Sequence, residues 1–370
     1  MTVIETPSRR WWRGVRERVP INLEFFEQLS KEPIPHHMKH WWYCLGGTPL
    51  ILFAVQVLTG ILLTFYYSSS PDNAWESVRR ISQDVPFGWW IRSMHRWAAN
   101  LMVIAVCLHL LRVFFTGAFR KPRELNWIAG VGLLFVTLGF GFTGYALVYD
   151  QVSYWAAVVG TNVAGQFPLI GSWIAGLLRG GADVSATTLS RFFVFHVGAM
   201  PTLMLLLLGL HIFFVRIHGV MELDAPAEVQ ERPITVEEDR EAKRRFDPNR
   251  FFAFFPDHTT TEIGVAMVLL TLLSVLALVF PPPLGTPADP GETPGHIKPE
   301  WYFLPLFRWL KLVPLWLGMA GIAVAGLSLL FWPFIDAAWR RYRPRSEAAT
   351  WVGAAAILLT LVFLIWEAAS

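Results

Sequence analysis

Residues 90–114, WIRSMHRWAANLMVIAVCLHLLRVF, decide the fold of this 370-residue chain. At about 1.5 Å per residue, a helix of this length crosses the roughly 30 Å hydrocarbon core of a bilayer. The segment nevertheless contains His95 and His109, and ionisable side chains at such depth are costly and usually functional. The segment therefore predicts a transmembrane helix whose histidines bind a ligand.

Six further apolar runs accompany this one, so the chain is expected to cross the membrane seven times. The composition agrees, because 54% of the residues are hydrophobic and only 16% are charged, which is unusual for a soluble domain. We predict an all-α membrane protein with a four-helix N-terminal bundle and three C-terminal helices. The predicted spans are 45–67, 90–114, 127–149, 192–216, 262–280, 316–335 and 350–367.

Charge divides and orients the chain. The predicted units are residues 1–220, a charged cytoplasmic linker at 221–261, and residues 262–370. Lys and Arg cluster before the first span, between the second and third, and between the sixth and seventh, which predicts a cytoplasmic N-terminus and an external C-terminus. The proline-rich segment 281–300 can form neither a helix nor a central strand, and 151–190 predicts short surface helices.

Four histidines lie inside predicted spans at two levels of the membrane. His95 and His109 are 14 residues apart, which is about 40° short of four helical turns and about 21 Å along the axis. His196 and His211 are 15 apart, about 60° past four turns, and Pro201 between them is expected to bend the helix and absorb part of that offset. Because the second and fourth spans run in the same direction, His95 is level with His196, and His109 with His211.

Two facing imidazoles are suitable axial ligands for a haem iron. For a single histidine, a hydrogen bond to a neighbouring helix is the alternative. For each pair the alternative is zinc, which is disfavoured because only two ligands are available at each level. The N-terminal four-helix bundle is therefore predicted to bind haem.

Glycines and arginines follow the same register. Gly46 and Gly60 in the first span, and Gly130 and Gly144 in the third, are also 14 residues apart. Missing side chains leave room for a flat macrocycle, although glycines also serve plain helix packing.

Two arginines, Arg92 and Arg112, each lie one helical turn from a histidine, on the side nearer the water. They are expected to pair with the haem propionates. The alternative is that both are interfacial arginines whose side chains snorkel to the membrane surface.

Three stretches resemble the cytochrome b subunit of Rieske/cytochrome b (bc1/b6f) complexes: residues 88–127, residues 139–156 (GFGFTGYALVYDQVSYWA) and residues 296–314 (HIKPEWYFLPLFRWLKLVP). The resemblance covers the chain from about residue 30. The motifs YCLGG, FGWWIRSMHRW and KPRELNW, with the 15-residue histidine step, are similar to the b6f branch. Cytochrome b6 and subunit IV are separate chains in that branch and are fused here, which implies a bacterial cytoplasmic (inner) membrane complex.

The resemblance implies a quinol:cytochrome c oxidoreductase, or one with a plastocyanin-like acceptor, coupled to proton translocation. Quinol would be oxidised near the outer face, and electrons would cross through two b haems to a quinone-reducing site. His95 and His196 would hold the low-potential haem, and His109 and His211 the high-potential haem. The expected partners are a Rieske iron–sulfur protein, a c-type cytochrome or equivalent, quinone, the lipid bilayer and a second copy in a homodimer. No nucleic acid is expected.

The outer-loop motif PEWY places Glu300 as the expected proton acceptor from quinol, with Tyr302 and Tyr145 as companions in the pocket. An ordinary loop carboxylate and interfacial aromatic residues are the alternatives. Where relatives have a Pro-Trp pair after the third span, this chain has Val148 and Tyr149. The loop that shapes the quinol pocket therefore departs from the family pattern.

Cys44 lies at the start of the first span. A buried cysteine usually acts as a small hydrophobic residue, and Cys107 is interpreted in this way; a disulfide framework is not expected. In the b6f branch the cysteine of YCLGG binds a haem c through one thioether, so the resemblance implies a covalent haem c on Cys44. Arg216 is expected beside that haem, and Glu27 and Lys31 are expected to border the quinone-reducing site.

Two other functional classes stay open from the residues alone. A di-haem membrane anchor of a dehydrogenase or hydrogenase would use four histidines, but it has no need for PEWY. A transporter or channel could use the histidines as a proton relay, although it would not require the glycine register.

Overall fold

The quoted segment forms the longest helix of a computed structural model that describes residues 33–221, 251–295, 297–344 and 346–370. Glu27 and Lys31 lie outside the described residues, as does most of the predicted linker. The helices are α1 Gly47–Thr64, α2 Ala74–Gln83, α3 Gly88–Phe115, α4 Glu124–Ala146, α5 Gln151–Gly165, α6 Gly171–Arg179, α7 Ala186–Val194, α8 Met200–His218, α9 Thr259–Val279, α10 Leu304–Leu312, α11 Leu315–Leu330, α12 Trp332–Tyr342 and α13 Ala348–Ala369.

The prediction of an all-α protein with seven spans is confirmed by helix length and composition. Within the described residues, six helical stretches are long and apolar enough to cross a membrane, and α11 with α12, bent by 73° at their junction, makes a seventh if the bent pair counts as one span. Helices suit this setting because they satisfy every backbone hydrogen bond within one segment. The predicted surface region 151–190 contains α5, α6 and the start of α7.

The core lies where α1, α3, α4, α8 and α9 meet. Each helix contributes at least one buried apolar side chain to it, namely Leu52, Ala98, Val136, Met204 and Leu273. The N-terminal four-helix bundle is therefore packed against the first helix of the C-terminal unit.

The connections gather at two opposite ends of the bundle. At one end, which we call the Glu300 end, the Trp75 indole donates to the Gly285 carbonyl at 2.8 Å. At the other, the Cys44 end, Arg120 Nε pairs with Asp336 at 2.9 Å. Within the described residues, the Glu300 end comprises 65–87, 147–185 and 281–314. The Cys44 end comprises 33–46, 116–123, 251–258 and 343–347.

A short antiparallel pair also lies at the Cys44 end. Strand β1 (Pro33–Pro35) pairs with β2 (Phe251–Ala253), with Ile34 opposite Phe252. The pair joins the segment before α1 to the segment before α9.

A π-helical turn, Phe195–Ala199, lies between α7 and α8 and contains His196. Its i→i+5 pattern accommodates about one more residue than an α-turn, so the 15-residue step to His211 regains the phase of the 14-residue step on α3. The sequence predicted that Pro201 would absorb part of the offset, and the structure shows a π turn that ends two residues before Pro201. Pro201 lacks an N–H and its ring crowds the Val197 carbonyl, which favours opening of this turn.

Candidate functional site

The four histidines form two facing pairs, as the sequence predicted. The ring centroids of His95 and His196 lie 6.3 Å apart at 68°, and those of His109 and His211 lie 6.4 Å apart at 76°. Two metal–nitrogen bonds of about 2.0 Å, plus about 1.1 Å from each nitrogen to its ring centre, require about 6.2 Å. The centroid separation of each pair therefore matches that of two imidazoles bound to one metal ion.

The remaining ligands of such an ion would have to come from another molecule. Across the described ranges, no group of three or more His, Cys, Asp or Glu residues is placed to hold a metal ion. A protein zinc site commonly needs three or four side-chain ligands. A haem, whose macrocycle supplies the other nitrogens, fits these pairs better.

Hydrogen bonds to Nδ1 orient three of the four imidazoles. Nδ1 of each lies close to an oxygen that accepts its N–H: Thr59 Oγ1 for His95 (2.8 Å), Thr143 Oγ1 for His196 (3.1 Å) and the Asn126 carbonyl for His211 (3.1 Å). Both threonine hydroxyls donate their own proton to a backbone carbonyl one turn earlier. Their oxygens therefore accept from the histidines, which leaves the Nε2 lone pairs free for a metal.

His109 is oriented differently. Arg112 Nη2 lies 3.3 Å from His109 Nδ1, and its guanidinium lies 5.5 Å from the centre of the Tyr43 ring. Arg112 Nε is buried and has no hydrogen-bond partner among the described residues. This spare buried donor fits an anionic group such as a haem propionate.

Each predicted glycine lies against one histidine. A Cβ built on the glycine would come within 2.5–3.5 Å of an imidazole Cε1: Gly46 to His109 at 3.5 Å, Gly60 to His95 at 3.4 Å, Gly130 to His211 at 3.3 Å and Gly144 to His196 at 2.5 Å. The sequence predicted room for a macrocycle at these heights. In the structure the glycines make room for the imidazoles that would bind its iron.

Arg92 contacts the proline-rich segment. Its guanidinium donates to the carbonyls of Pro282 and Pro283, each at 3.0 Å. The role of Arg92 as a propionate partner stays a prediction.

At the Glu300 end, the three predicted quinol-site residues lie around one arginine. Arg96 Nη2 pairs with Glu300 Oε1 at 2.6 Å, and the Glu300 side chain is 11% exposed. The Arg96 guanidinium also lies 5.6 Å from the centre of the Tyr145 ring. Tyr302 packs against Gly141, where an added Cβ would lie 2.5 Å from the phenol oxygen. Burial, with a smaller effect of the Glu300 charge, raises the pKa of Tyr302, which therefore remains a hydrogen-bond donor.

Sequence reasoning missed Arg96, although a signal existed. An arginine inside the apolar segment 90–114 is as costly as a histidine there. One turn later, Asn100 Oδ1 accepts a hydrogen bond from the Trp301 indole at 2.6 Å. Arg96 and Asn100 thus attach the PEWY segment to α3.

The loop with the unusual Val148–Tyr149 pair is attached to the proline-rich segment. Tyr149 is buried and has φ 54°, a region that bulky residues rarely adopt. The next residue, Asp150, caps α5 through the Ser153 N–H and also accepts from the Gly285 N–H at 3.2 Å. The segment expected to shape the quinol pocket is thereby connected to the segment that carries Glu300.

At the Cys44 end, Cys44 is 1% exposed and, like Cys107, is a free thiol. Glu262 is its charged neighbour, and both Glu262 oxygens lie 2.7 Å from the position of a Cβ on Gly47. His258 Nε2 pairs with Glu262 at 3.3 Å, while its buried Nδ1 has no hydrogen-bond partner in the described part of the chain. Sequence reasoning missed this pair because it lies in the stretch assigned to the linker and at the edge of the fifth span.

Arg216 lies near the same end of the bundle. Its guanidinium is 5.5 Å from the centre of the Phe254 ring, and the Phe254 ring is 5.8 Å from that of His258. The structure therefore brings Arg216 towards the acid–base pair His258–Glu262.

Comparison with known proteins agrees with this arrangement. Residues 29–219 match the family described as "Cytochrome b/b6/petB", and residues 287–369 match "Cytochrome b(C-terminal)/b6/petD". The chain is 45% identical over 208 residues to "Cytochrome b6" of Heliobacterium mobile, covering 56% of this chain and 98% of that protein.

Two further similarities extend over the C-terminal unit. The chain is 36% identical over 327 residues to the "Cytochrome bc complex cytochrome b subunit" of Chlorobaculum thiosulfatiphilum, covering 87% of this chain and 72% of that protein. Its fold superimposes with a TM-score of 0.76 on a chain of the solved structure "Hyperthermophilic respiratory Complex III", at 26% identity, covering 95% and 96% of the two chains.

Proposed function

Since this chain belongs to the cytochrome b family and is an electron-transfer subunit of a bc-type assembly, we propose that it oxidises quinol at its Glu300 end and reduces quinone at its Cys44 end. The overall reaction is that of a quinol:cytochrome c oxidoreductase, or one with a plastocyanin-like acceptor, coupled to proton translocation. The complex would reside in a bacterial cytoplasmic membrane, with the Cys44 end and the N-terminus inside and the C-terminus outside. Its partners would be a Rieske protein, a c-type cytochrome or equivalent, and a second copy in a homodimer.

The observation that carries this proposal is the pair of facing histidines at each of two levels, each ring seated against a glycine. We assign one haem b to His95 and His196 and a second to His109 and His211. Each haem, when bound, carries one electron at a time, and 14 residues of α3 separate the two levels by about 21 Å. Thr59 and Thr143 hold the first pair in the tautomer that binds iron.

At the Glu300 end, we assign proton acceptance to Glu300. Its Oε1 is paired with Arg96, which leaves Oε2 for the hydroxyl of a quinol. A base within hydrogen-bond reach of the proton it takes can act as a general base. Tyr302, kept protonated, would donate to a quinone oxygen, and the Tyr145 ring would help to hold the Arg96 guanidinium.

At the Cys44 end, we assign a covalent haem c to Cys44. The adjacent pair His258–Glu262 would supply a proton to quinone. The His258 imidazolium would give up its Nδ1 proton, because Nδ1 is buried and not engaged by any described residue, and the ring would be left neutral with its Nε2–H paired with the Glu262 carboxylate. Arg216 would stabilise negative charge nearby. Glu27 and Lys31 remain proposed members of this site.

An absorption experiment tests the haem assignment. The purified complex should show a reduced-minus-oxidised signal of b-type haem, and His95→Ala and His109→Ala should each remove a different half of it. A purified complex without this signal would contradict the haem assignment.

A rate experiment tests the quinol assignment. Glu300→Gln keeps the shape of the side chain but removes the base, so quinol-dependent haem reduction should slow by about 10²-fold or more. Haem retention together with an unchanged rate would favour a di-haem anchor of a dehydrogenase or hydrogenase instead.

Haem staining after denaturing electrophoresis tests Cys44. The wild-type chain should retain haem, Cys44→Ala should lose it, and Cys107→Ala is the matched control that should keep it. A wild-type chain without stain would leave Cys44 as a small buried side chain.

A further inference from the structure

The last turn of α13 contains a carboxylate that the proposed reactions do not use. The Glu367 side chain is 0% exposed. It pairs with Lys311 Nζ and lies 3.5 Å from Arg308 Nη1. Both cations belong to α10, the helix that follows the PEWY motif. A buried charge is costly unless it is paired, so the contacts of Glu367 with these two cations join the last turn of α13 to α10.

The same turn holds the other side of the PEWY motif. Lys298 Nζ donates to the Glu367 carbonyl at 2.9 Å. The Arg308 guanidinium lies 3.5 Å from the centre of the Trp366 ring, as a stacked cation. The residues at 298, 308 and 311 therefore all attach to residues 366–367, and the stretch between them contains Glu300 and Tyr302.

The PEWY stretch thus has two attachments on different helices. On α3 it is held by Arg96, through Glu300, and by Asn100, through Trp301. On α13 it is held by Glu367. The first attachment sets the partner of the Glu300 carboxylate, and the second fixes the segments on either side of the motif to the last turn of α13.

We propose that Glu367 is a positioning residue for the Glu300 site, acting through Lys298, Arg308 and Lys311 and not through contact with substrate. This rests on the proposed quinol-oxidising role of Glu300. Removing the Glu367 charge leaves Arg308, whose side chain is 14% exposed, and Lys311, whose side chain is 42% exposed, without their carboxylate. Both side chains then lose the group that ties α10 to the last turn of α13, and the stretch that carries Glu300 and Tyr302 shifts. A displacement of about 1 Å at a reacting group can cost up to about 10²-fold in rate.

The test measures quinol oxidation by the purified complex. Glu367→Gln should lower kcat/KM for quinol about tenfold, with the b-haem spectrum unchanged. Glu367→Asp keeps the charge on a shorter side chain, so its kcat/KM for quinol should lie between those of the wild type and Glu367→Gln.

A matched control lies at the Cys44 end. Asp336 is also a buried carboxylate, 5% exposed, between Arg120 and Arg340. Asp336→Asn should leave kcat/KM for quinol within about twofold of wild type, because it removes the same kind of pair far from Glu300. An equal loss in both variants, or no loss in Glu367→Gln, would overturn the inference.

Measuring quinol oxidation by Glu300→Gln, purified in the same way, separates the proposed Glu300 site from the proposed positioning role of Glu367. If Glu300→Gln leaves quinol oxidation unchanged, the proposed site itself is wrong. If Glu300→Gln slows it but Glu367→Gln does not, only the positioning role of Glu367 fails.

Discussion

Gly144→Ala is the sharpest test of the histidine pairs. The added methyl carbon would lie 2.5 Å from His196 Cε1 and 3.2 Å from Nδ1 and Nε2. Non-bonded carbon atoms rest about 3.5–4.0 Å apart. The imidazole must therefore retreat by about 1 Å, away from α4, or the π turn that carries His196 must move together with α8.

The cost follows from the contacts of the ring. The 3.1 Å contact between Thr143 Oγ1 and His196 Nδ1 becomes too long for a hydrogen bond after a shift of about 1 Å. Overpacking of this kind costs about 1–3 kcal/mol, and each 1.4 kcal/mol is tenfold in affinity. We expect the haem assigned to His95 and His196 to bind about 10- to 100-fold more weakly.

Gly60→Ala is the matched control, because it adds the same methyl group on the opposite side of the same pair. Its Cβ would lie 3.4 Å from His95 Cε1, which needs a shift of only a few tenths of an ångström. The assay is the haem b content per chain, with the reduced-minus-oxidised spectrum, after purification at limiting haem. Gly144→Ala should lose up to one of two haems and Gly60→Ala should keep both.

Two results would contradict the role assigned to Gly144. Full haem content in Gly144→Ala at wild-type thermal stability would mean that the glycine does not determine the position of His196. Equal losses in both glycine variants would mean that helix packing, and not imidazole clearance, explains the register.

Three further predictions concern other parts of the molecule. Deleting Gly198, whose Cβ position meets no atom within 4 Å, should convert the π turn to an α-turn and retain both b haems, whereas deleting Ile104 from the step on α3 should lose one; haem loss on deleting Gly198 would contradict the phase argument. Gly141→Ala pushes a methyl group against the Tyr302 hydroxyl and should raise KM for quinol about tenfold with the haem spectrum unchanged; an unchanged KM would remove Tyr302 from the pocket. Asp336→Ala removes a buried carboxylate whose partner Arg120 is 40% exposed and should lower the free energy of unfolding by about 1 kcal/mol, measured by thermal denaturation; a change below about 0.5 kcal/mol would show that solvent replaces the ion pair.

Much of the haem site could be predicted from sequence because it depends on helix periodicity. A helix repeats every 3.6 residues, so a step of 14 residues puts His95 and His109 on one face whatever surrounds them. The matched steps of Gly46 and Gly60, and of Gly130 and Gly144, follow from the same rule. The 15-residue step on α8 was recognised as an exception, but its physical origin, the π turn, appeared only in the structure.

The quinol and quinone sites were less accessible to sequence reasoning. Arg96 and Glu300 are 204 positions apart and meet only because α3 and the PEWY segment lie at the same end of the bundle. Glu262 faces Gly47 because α9 packs against α1. No periodicity within one helix predicts such contacts.

Hydrophobic length and helical phase are local properties of the chain, so the predicted spans, the two histidine levels and the family could be derived from the amino-acid sequence. The three-dimensional arrangement was needed to show which glycine clears which imidazole, which arginine holds Glu300, and that the last turn of α13 anchors the PEWY segment. Those contacts join residues far apart in the chain, and they depend on how the helices are rotated and displaced when their apolar faces pack. That rotation is set jointly by all the packed side chains, so no single segment encodes it.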